Sequence, residues 1–291
     1  MRKIFLFILL TSVVFPQVVS DYTYISSEAA AMAGAMTANP GSVASLFHNP
    51  AGIAELEDPF IEFGKADIFG VESNYFGGFS HLPIFGNSGL SIQQSKTVVS
   101  GTTLSKEQSI AFSSGFHLQK DRNSQLMVGY SFNYLSWNLG RSSGTIGDGS
   151  DGQPSSSSST LGIDVGLIAS LRGKHRVGAY LKNINSPEMG RGESRQPLPR
   201  RMSIGMAYTP YQNFLTSLVL DRTMGRDDIQ VKGGIQYIFT DMCTLRLGLQ
   251  SNPNRLGAGF RFSFRKYGFD YALLTHPVLP ATHHFSFGME F

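Results

Sequence analysis

The feature that most constrains this chain is a strict alternation of large apolar residues with small or polar ones. From Pro59 onward the chain falls into runs of about ten to fourteen residues with this period of two, which is the signature of a β-strand with two different faces. The final run alternates Phe285, Phe287, Met289 and Phe291 with His284, Ser286, Gly288 and Glu290.

The second face of these runs decides between a soluble and a membrane fold. Strands of a soluble β-sandwich average about five or six residues, and their apolar face points inward. Here the other face is Gly, Ser, Gln and charge, and the lengths match the roughly 9 to 11 residues of a tilted membrane strand. We therefore predict an all-β fold, a transmembrane antiparallel β-barrel of about fourteen strands with an apolar outer surface and a polar lumen. The predicted strands are 59–68, 70–82, 88–97, 107–119, 124–140, 160–172, 175–186, 200–210, 214–224, 228–240, 243–252, 255–265, 267–276 and 282–291.

Composition agrees with this fold. Only 15% of residues are charged, 12% are aromatic and 32 are glycine, whereas a soluble domain carries about 25% charge. The net charge of +3 is scattered along the strands, which argues against a nucleic-acid partner.

The predicted connections alternate between long and short. Barrels of this kind place long loops outside the cell and tight turns in the periplasm. The longest predicted loop, 141–159, is rich in Gly and Ser and is expected to be flexible and exposed. The predicted outer loops include 98–106, 141–159, 187–199 and 277–281, and the predicted inner turns include 172–174, 240–242 and the turn at Arg265 and Lys266.

The first twenty residues resemble a secretory signal. Arg2 and Lys3 precede an apolar run, Ile4 to Phe15, which is shorter than the roughly 20 residues of a membrane-spanning helix. We expect cleavage near Asp21, with an uncleaved anchor as the alternative. The predicted organisation is a signal peptide (1–20), an N-terminal periplasmic or plug segment (21–58) and an outer-membrane barrel in contact with lipid (59–291).

No catalytic motif is found in the sequence. A nucleophile elbow, a phosphate loop and a zinc-protease helix are absent. Cys243 is the only cysteine, and we interpret it as a small apolar strand residue. His283 and His284 are adjacent in a strand and point to opposite faces, so they cannot easily share a metal. We expect no enzyme activity, no cofactor and no metal.

Seven charged residues are predicted by the alternation to face the lumen. Charge is tolerated there when it is solvated or paired. We favour the interpretation that these residues form ion pairs with one another or with the plug and hold the barrel shape. The alternative is that they bias what passes through or docks inside. The residues are Asp164, Lys182, Lys232, Arg246, Arg261, Arg265 and Glu290.

The segment before the barrel, 28–56, is rich in Ala and other small residues, as a segment packed inside a narrow lumen against glycine-rich walls requires. The Asn49-Pro50 step favours a turn. The residues that we expect to form the plug motif are Gly34, Asn49, Pro50, Ala51 and Gly52.

Two parts of the chain carry a family resemblance. The small residues around Met32 to Ala35, followed by Leu46 to Gly52, resemble the N-terminal signature of FadL-like outer-membrane proteins, especially their PorV/PorQ branch. The C-terminal third has the order of features typical of that branch, namely 197–199, 203–208, Asp221, 269–272 and 282–286.

The resemblance implies a function and partners. A PorV/PorQ-type barrel takes part in type IX-like secretion, handing over secreted cargo or binding secretion-system subunits at the cell surface. The wider group implies an alternative, a passive channel for small hydrophobic molecules with an apolar pocket under the plug and an opening in the wall. A third hypothesis is a structural barrel of the envelope. The terminal Phe291 resembles the assembly signal that barrel-assembly machinery recognises.

Overall fold

A computed structural model describes residues 25–99, 102–140, 151–153, 157–190 and 195–291. The predicted signal peptide and most of the predicted loop 141–159 lie outside the described residues.

The described chain forms a closed antiparallel barrel of fourteen strands, which confirms the predicted fold class. Each strand pairs with its neighbours in sequence, and β1 closes the barrel against β16 with Phe60 opposite Glu290. A separate short hairpin, β8–β9, interrupts the connection between β7 and β10. The strands are β1 Phe60–Ile68, β2 Val71–Leu82, β3 Gly86–Val99, β4 Thr102–Lys120, β5 Ser124–Leu139, β6 Ser157–Leu171, β7 His175–Lys182, β8 Glu188–Met189, β9 Gln196–Pro197, β10 Arg201–Tyr211, β11 Phe214–Thr223, β12 Ile229–Thr240, β13 Cys243–Gln250, β14 Arg255–Phe264, β15 Tyr267–Leu274 and β16 Thr282–Glu290.

The outer surface of the barrel is apolar, as the alternation predicts. On β13, Leu245, Leu247 and Leu249 are 46 to 60% exposed, whereas Arg246 and Gln250 are only 6% and 5% exposed. Exposed leucines and buried polar residues are the reverse of a soluble fold, and they suit a surface that faces lipid.

The two ends of the barrel differ in their connections. On the side where β1 begins and β16 ends, the six turns between strands contain two or three residues each. The long connections, 140–156 and 183–200, lie on the opposite side. Short turns face the periplasm in barrels of this kind, so the opposite side is the outer side.

Strands β3 to β6 are longer than the other barrel strands. They contain 14 to 19 residues, whereas the remaining barrel strands contain 8 to 12. Part of this excess lies at the outer end, where β6 continues from Asp164 to Ser157 beyond the end of its pairing with β7. Outward side chains change from apolar Ile110 and Tyr134 to polar Gln108 and Ser136 one step further out, which marks the edge of the lipid-facing band. We call the strand segments beyond this edge the outer wall: 93–99, 102–109, 135–139 and 157–160.

The prediction of an outer loop over 98–106 was wrong, because β3 continues to Val99 and β4 begins at Thr102. Val98, Val99 and the threonines of this stretch are residues that favour strands, and a register shift between Thr97 and Val98 interrupts the alternation there. The predicted strand 175–186 ends early, at Lys182, because Asn183 adopts a left-handed conformation with φ of 57°.

The segment 25–58 fills the lumen, and we call it the plug. Helix α1, Ser27–Ala31, begins at Ser26, whose hydroxyl accepts a hydrogen bond from the Ala29 N–H. Helix α2, Ser45–His48, leads through Asn49 into a 3₁₀ turn, Pro50–Glu55. Helix α1 contacts β13 to β16, and the 3₁₀ turn contacts β3 to β6. The plug therefore spans the lumen from one wall to the other.

The described part of the chain has no helix that is both long and apolar enough to cross a membrane.

Candidate functional site

Asn49 fixes the plug to the barrel wall. Its Nδ2 donates to the Thr37 carbonyl at 2.6 Å and lies 3.4 Å from the carbonyls of Leu167 on β6 and Ala179 on β7. Its Oδ1 accepts from the Ala51 N–H at 3.1 Å, which begins the 3₁₀ turn. One buried side chain thus orders the turn and binds it to two strands.

Lumen glycines allow the plug to approach the wall closely. A Cβ at Gly129 would collide with the backbone of Pro50 and Ala51, and a Cβ at Gly248 would collide with the backbone of Met32 and Ala33. The alternation shows that these glycines face inward, but only the packed structure shows that the backbone of the plug occupies the space beside them.

The other two residues of the predicted plug motif have local roles. Gly34 has φ of 80° and donates its N–H to the Ala29 carbonyl at 2.8 Å, which ends the turn after α1. Gly52 lies against Ser45, where a Cβ would stand 2.5 Å from the serine hydroxyl. All five motif residues therefore lie in the plug, and each contributes to its internal packing or its contact with the wall.

The buried charges form clusters. In the first, Asp221 on β11 accepts from Lys232 Nζ at 2.6 Å and from Arg201 Nε at 2.8 Å. Lys232 is only 1% exposed. A cavity of about 20 Å³ lies beside Asp221 and Lys232. Lys182 of the wall and His48 of the plug also border it.

A second cluster joins the far wall to helix α1. Asp270 accepts from Arg246 at 2.7 Å and from Arg261 at 3.1 Å. Arg246 lies 3.4 Å from Glu28 of the plug, and Arg261 lies 3.7 Å from Glu62 on β1. Charged groups of the plug and of the wall are therefore paired with one another in the lumen.

Two further contacts involve charged groups on the β6 and β7 side. Arg176 forms a double hydrogen bond with Glu55 of the plug at 2.6 and 2.7 Å. Asp164 accepts from Asn133, from the Tyr180 hydroxyl and from the Asn183 N–H at 2.7 to 2.9 Å. The Glu55–Arg176 pair therefore joins the plug to β7 by a charge-assisted contact, whereas Asp164 joins β6 to β5 and β7.

The structure places five of the seven predicted lumen charges inside the barrel: Asp164, Lys182, Lys232, Arg246 and Arg261. Glu290 lies at the periplasmic lip, 60% exposed and 4.0 Å from Arg261. The prediction for Arg265 was wrong. The strand ends at Phe264, and Arg265 enters the turn with φ of 56° and lies 5.5 Å from the Phe264 ring centroid.

Sequence reasoning missed most of the partners of these charges. Glu62, Arg201, Asp221 and Asp270 all occupy inward positions of alternating strands, so the period of two could have found them. Glu28 and Glu55 lie in the irregular plug, where no periodicity indicates which way a side chain points.

His48 is a neutral group beside the first cluster. Burial, together with the positive charges of Lys232, Arg201 and Lys182, lowers the pKa of His48 from 6.5 to about 3. Its ring borders the small cavity, and its buried Nε2 has no hydrogen-bond partner among the described residues. This imidazole therefore remains uncharged at neutral pH.

A cavity of about 440 Å³ lies under the plug on the periplasmic side. It is bordered by charged side chains, including Glu28, Glu55, Glu62, Arg246 and Arg261. Three smaller cavities measure about 20 to 30 Å³ each, room for one or two water molecules.

The hairpin β8–β9 packs against the inner face of the outer wall. Met189 and Leu198 are buried against Leu135 and beside Trp137 on the inner face of the outer wall. The Gly190 N–H donates to the Ser158 hydroxyl at 2.8 Å. The connection predicted as an outer loop, 187–199, is therefore folded onto the barrel through its described residues.

Histidines and acids do not form a metal centre within the described ranges, which contain no group of three or more potential ligands. His283 points outward and contacts the Tyr271 hydroxyl at 2.8 Å, whereas His284 is buried beside Thr282.

Residues 79–289 match the family model described as "Type IX secretion system membrane protein PorP/SprF". The chain belongs to this family. The match confirms the type IX assignment that the resemblance implied, and the family it names is PorP/SprF. Its members are outer-membrane barrels of secretion and transport.

Solved structures show the same fold. The toluene transporter TbuX from Ralstonia pickettii has a TM-score of 0.62 at 12% identity, over 94% of this chain and 100% of that one. The CymD monoaromatic hydrocarbon channel has a TM-score of 0.65 at 15% identity, over 93% and 98%. A FadL homologue from Pseudomonas aeruginosa has a TM-score of 0.54 at 12% identity, over 91% and 98%. These similarities confirm the FadL-like outer-membrane barrel. No curated protein sequence matches the chain.

Proposed function

We propose that this barrel is a docking platform for protein partners in type IX secretion, binding secreted cargo or secretion-system subunits at the cell surface. The observation that carries the proposal is the filled lumen, in which the plug is packed against glycines and joined to both walls by ion pairs. Because the plug occupies the lumen, we expect this member of a secretion family to bind its partners through its surface.

The outer mouth provides that surface. At one end of the outer wall, β6 continues from Asp164 to Ser157 beyond the end of its pairing with β7. The outward residues Ser157 and Ser159 are polar and pair with Asn138 and Ser136 of β5. The hairpin β8–β9 is packed against the inner face of this wall. An ordered wall beside a plugged lumen suits the binding of a protein.

We also propose how the chain reaches the outer membrane. The signal segment 1–20 directs export and is removed near Asp21, and the barrel-assembly machinery then inserts the chain.

A channel for small hydrophobic molecules is the second candidate, favoured by the similarity in fold to hydrocarbon channels. Such a channel needs an apolar pocket under the plug and an opening in the wall. The cavity under the plug is bordered by charged residues, including Glu28, Arg246 and Arg261. This observation supports docking over conduction.

The test is a pull-down of the detergent-extracted protein from its native outer membrane, with mass spectrometry of bound proteins and lipids. We expect secreted proteins or secretion subunits with the wild type. The double variant Met189→Ser and Leu198→Ser, which exposes the hairpin contact, should reduce this yield.

A matched control is Val278→Ser, an exposed position in the connection between β15 and β16, which should bind as the wild type does. Recovery of apolar small molecules without protein would favour the channel. Recovery of neither would favour a structural barrel of the envelope.

A further inference from the structure

Strand β6 forms an edge of the outer wall. It extends from Ser157 to Leu171, but β7 pairs with it only between Val165 and Leu171. The outer part of β6 pairs with β5 along its other side, without a bulge. Among the residues that the structure describes, no strand therefore pairs with the side of β6 that faces β7 beyond Val165.

The lower part of this edge is occupied by a side-chain amide. Ile163 O accepts from the Ile184 N–H at 2.9 Å. The Ile163 N–H donates to Asn185 Oδ1 at 2.9 Å, and Asn185 Nδ2 donates to Leu161 O at 2.7 Å. The amide of Asn185 thus takes the place that a peptide group of a paired strand would occupy.

The next positions along the edge are open. In a regular strand, residues two apart direct their N–H and C=O groups to the same side, so Ser157 and Ser159 face the same way as Ile163. The residues that the structure describes include no hydrogen-bond partner for these backbone groups on that side.

The described residues of this edge carry neither a charge nor a proline that would block strand pairing. Natural edge strands are protected by lysine, proline, a bulge or a covering loop. Residues 157–162 contain neither charge nor proline. The hairpin β8–β9 contacts the inner face through Ser158 rather than the edge, and Leu161, at the foot of the edge, is 61% exposed.

We infer that the β6 edge binds an extended strand of a secreted protein partner, which continues the barrel sheet above β7 by strand addition. This inference rests on the proposed function and names how the partner is recognised. The backbone of Ser157 and Ser159 bonds to the backbone of the partner, and small serine side chains let it approach. The complementary segment is uncharged and free of proline, with an apolar residue beside Leu161.

The test compares two variants at one position. Ser159→Pro removes the N–H at the free edge while leaving the bonds to β5, because proline is tolerated on an edge strand. Ser159→Ala removes only the hydroxyl. A photo-crosslinking amino acid replaces Ser157 in each background in the native host, with the same amino acid at Val278 as the position control.

The expected result is an adduct from position 157 with an extended segment of a secreted protein. Its yield should fall at least about tenfold in Ser159→Pro, where a backbone hydrogen bond is lost and the ring obstructs pairing. The yield should be unchanged in Ser159→Ala. Heat-modifiable migration of each variant on gels confirms that the barrel has folded.

Equal yields in Ser159→Pro and wild type would overturn the inference, as would adducts formed only with a second copy of this chain. If the wild type binds partners in the pull-down but gives no adduct at position 157, strand addition is wrong and the docking function stands. If the wild type binds no partner by either method, the proposed function itself is wrong.

Discussion

The plugged lumen and the outer mouth are built from the same alternating strands, yet they differ in how their polar groups are satisfied. In the lumen, Asp221 and Asp270 are paired with cations, and glycines admit the backbone of the plug. At the mouth, the backbone groups of Ser157 and Ser159 that face away from β5 have no hydrogen-bond partner among the described residues. The buried polar groups of the lumen are therefore paired and stabilise the fold, whereas backbone groups at the mouth can still form hydrogen bonds with a partner. Substitutions in the lumen should therefore cost far more stability than substitutions at the mouth.

The largest effect is expected for Asp221→Asn. The change leaves Lys232 and Arg201 charged in a buried site, and breaking a buried pair in this way costs about 3–5 kcal/mol. Urea unfolding in lipid vesicles measures the loss. The exposed turn variant Asp241→Asn should stay within about 0.5 kcal/mol of the wild type. Equal losses of unfolding free energy in Asp221→Asn and Asp241→Asn would show that the buried ion pairs of the lumen do not stabilise the barrel.

A somewhat smaller effect is expected for Gly248→Val. The added side chain collides with the plug backbone at Met32 and Ala33, and overpacking of this kind costs about 1–3 kcal/mol. Unfolding and limited proteolysis of the plug should both report the change. Gly233→Val is the matched control, because only the Ser217 carbonyl lies near its Cβ, at 4.0 Å. If the plug of Gly248→Val remains resistant to the protease, the plug and β13 are packed less tightly than the contact at Gly248 indicates.

A pH dependence is expected from His48. Because its pKa is lowered from 6.5 to about 3 in the folded protein, the unfolded chain binds more protons between these values. With respect to His48, the free energy of unfolding has its full value above pH 6.5. It decreases as the pH falls below 6.5, by at most about 1.4 kcal/mol per pH unit.

His48→Gln is the control for this pH dependence. Glutamine does not titrate, so the variant should lose this part of the slope between pH 6.5 and pH 4. Identical pH profiles of unfolding for wild type and variant would show that His48 does not carry the effect.

The smallest effect is expected for Asn185→Ala at the mouth. Two hydrogen bonds to the β6 edge are lost, but the site is exposed and water replaces them, so the cost should stay below about 1 kcal/mol. The same urea unfolding measures it. A loss as large as that of Asp221→Asn would mean that the edge supports the barrel rather than remaining available to a partner.

Much of the fold was predictable because alternation is a local property. The outward leucines of β13 and the inward Arg246 follow from a period of two alone. The same rule failed at Arg265, where the strand ends one residue early. It also failed to predict the strands in 98–106, where a register shift between Thr97 and Val98 interrupts the alternation. The plug motif could be located from its small residues, but its partners could not, since Asn49 contacts carbonyls more than a hundred residues away.

The sequence by itself determined the strand number, the apolar outer face and the presence of a small-residue segment in the lumen. These depend on side-chain pattern along a single strand. Only the tertiary structure decided which charges pair, which glycines touch the plug and where β7 leaves β6 unpaired. Each of these depends on the register between strands and on the path of the plug, and both are set by packing across the whole barrel.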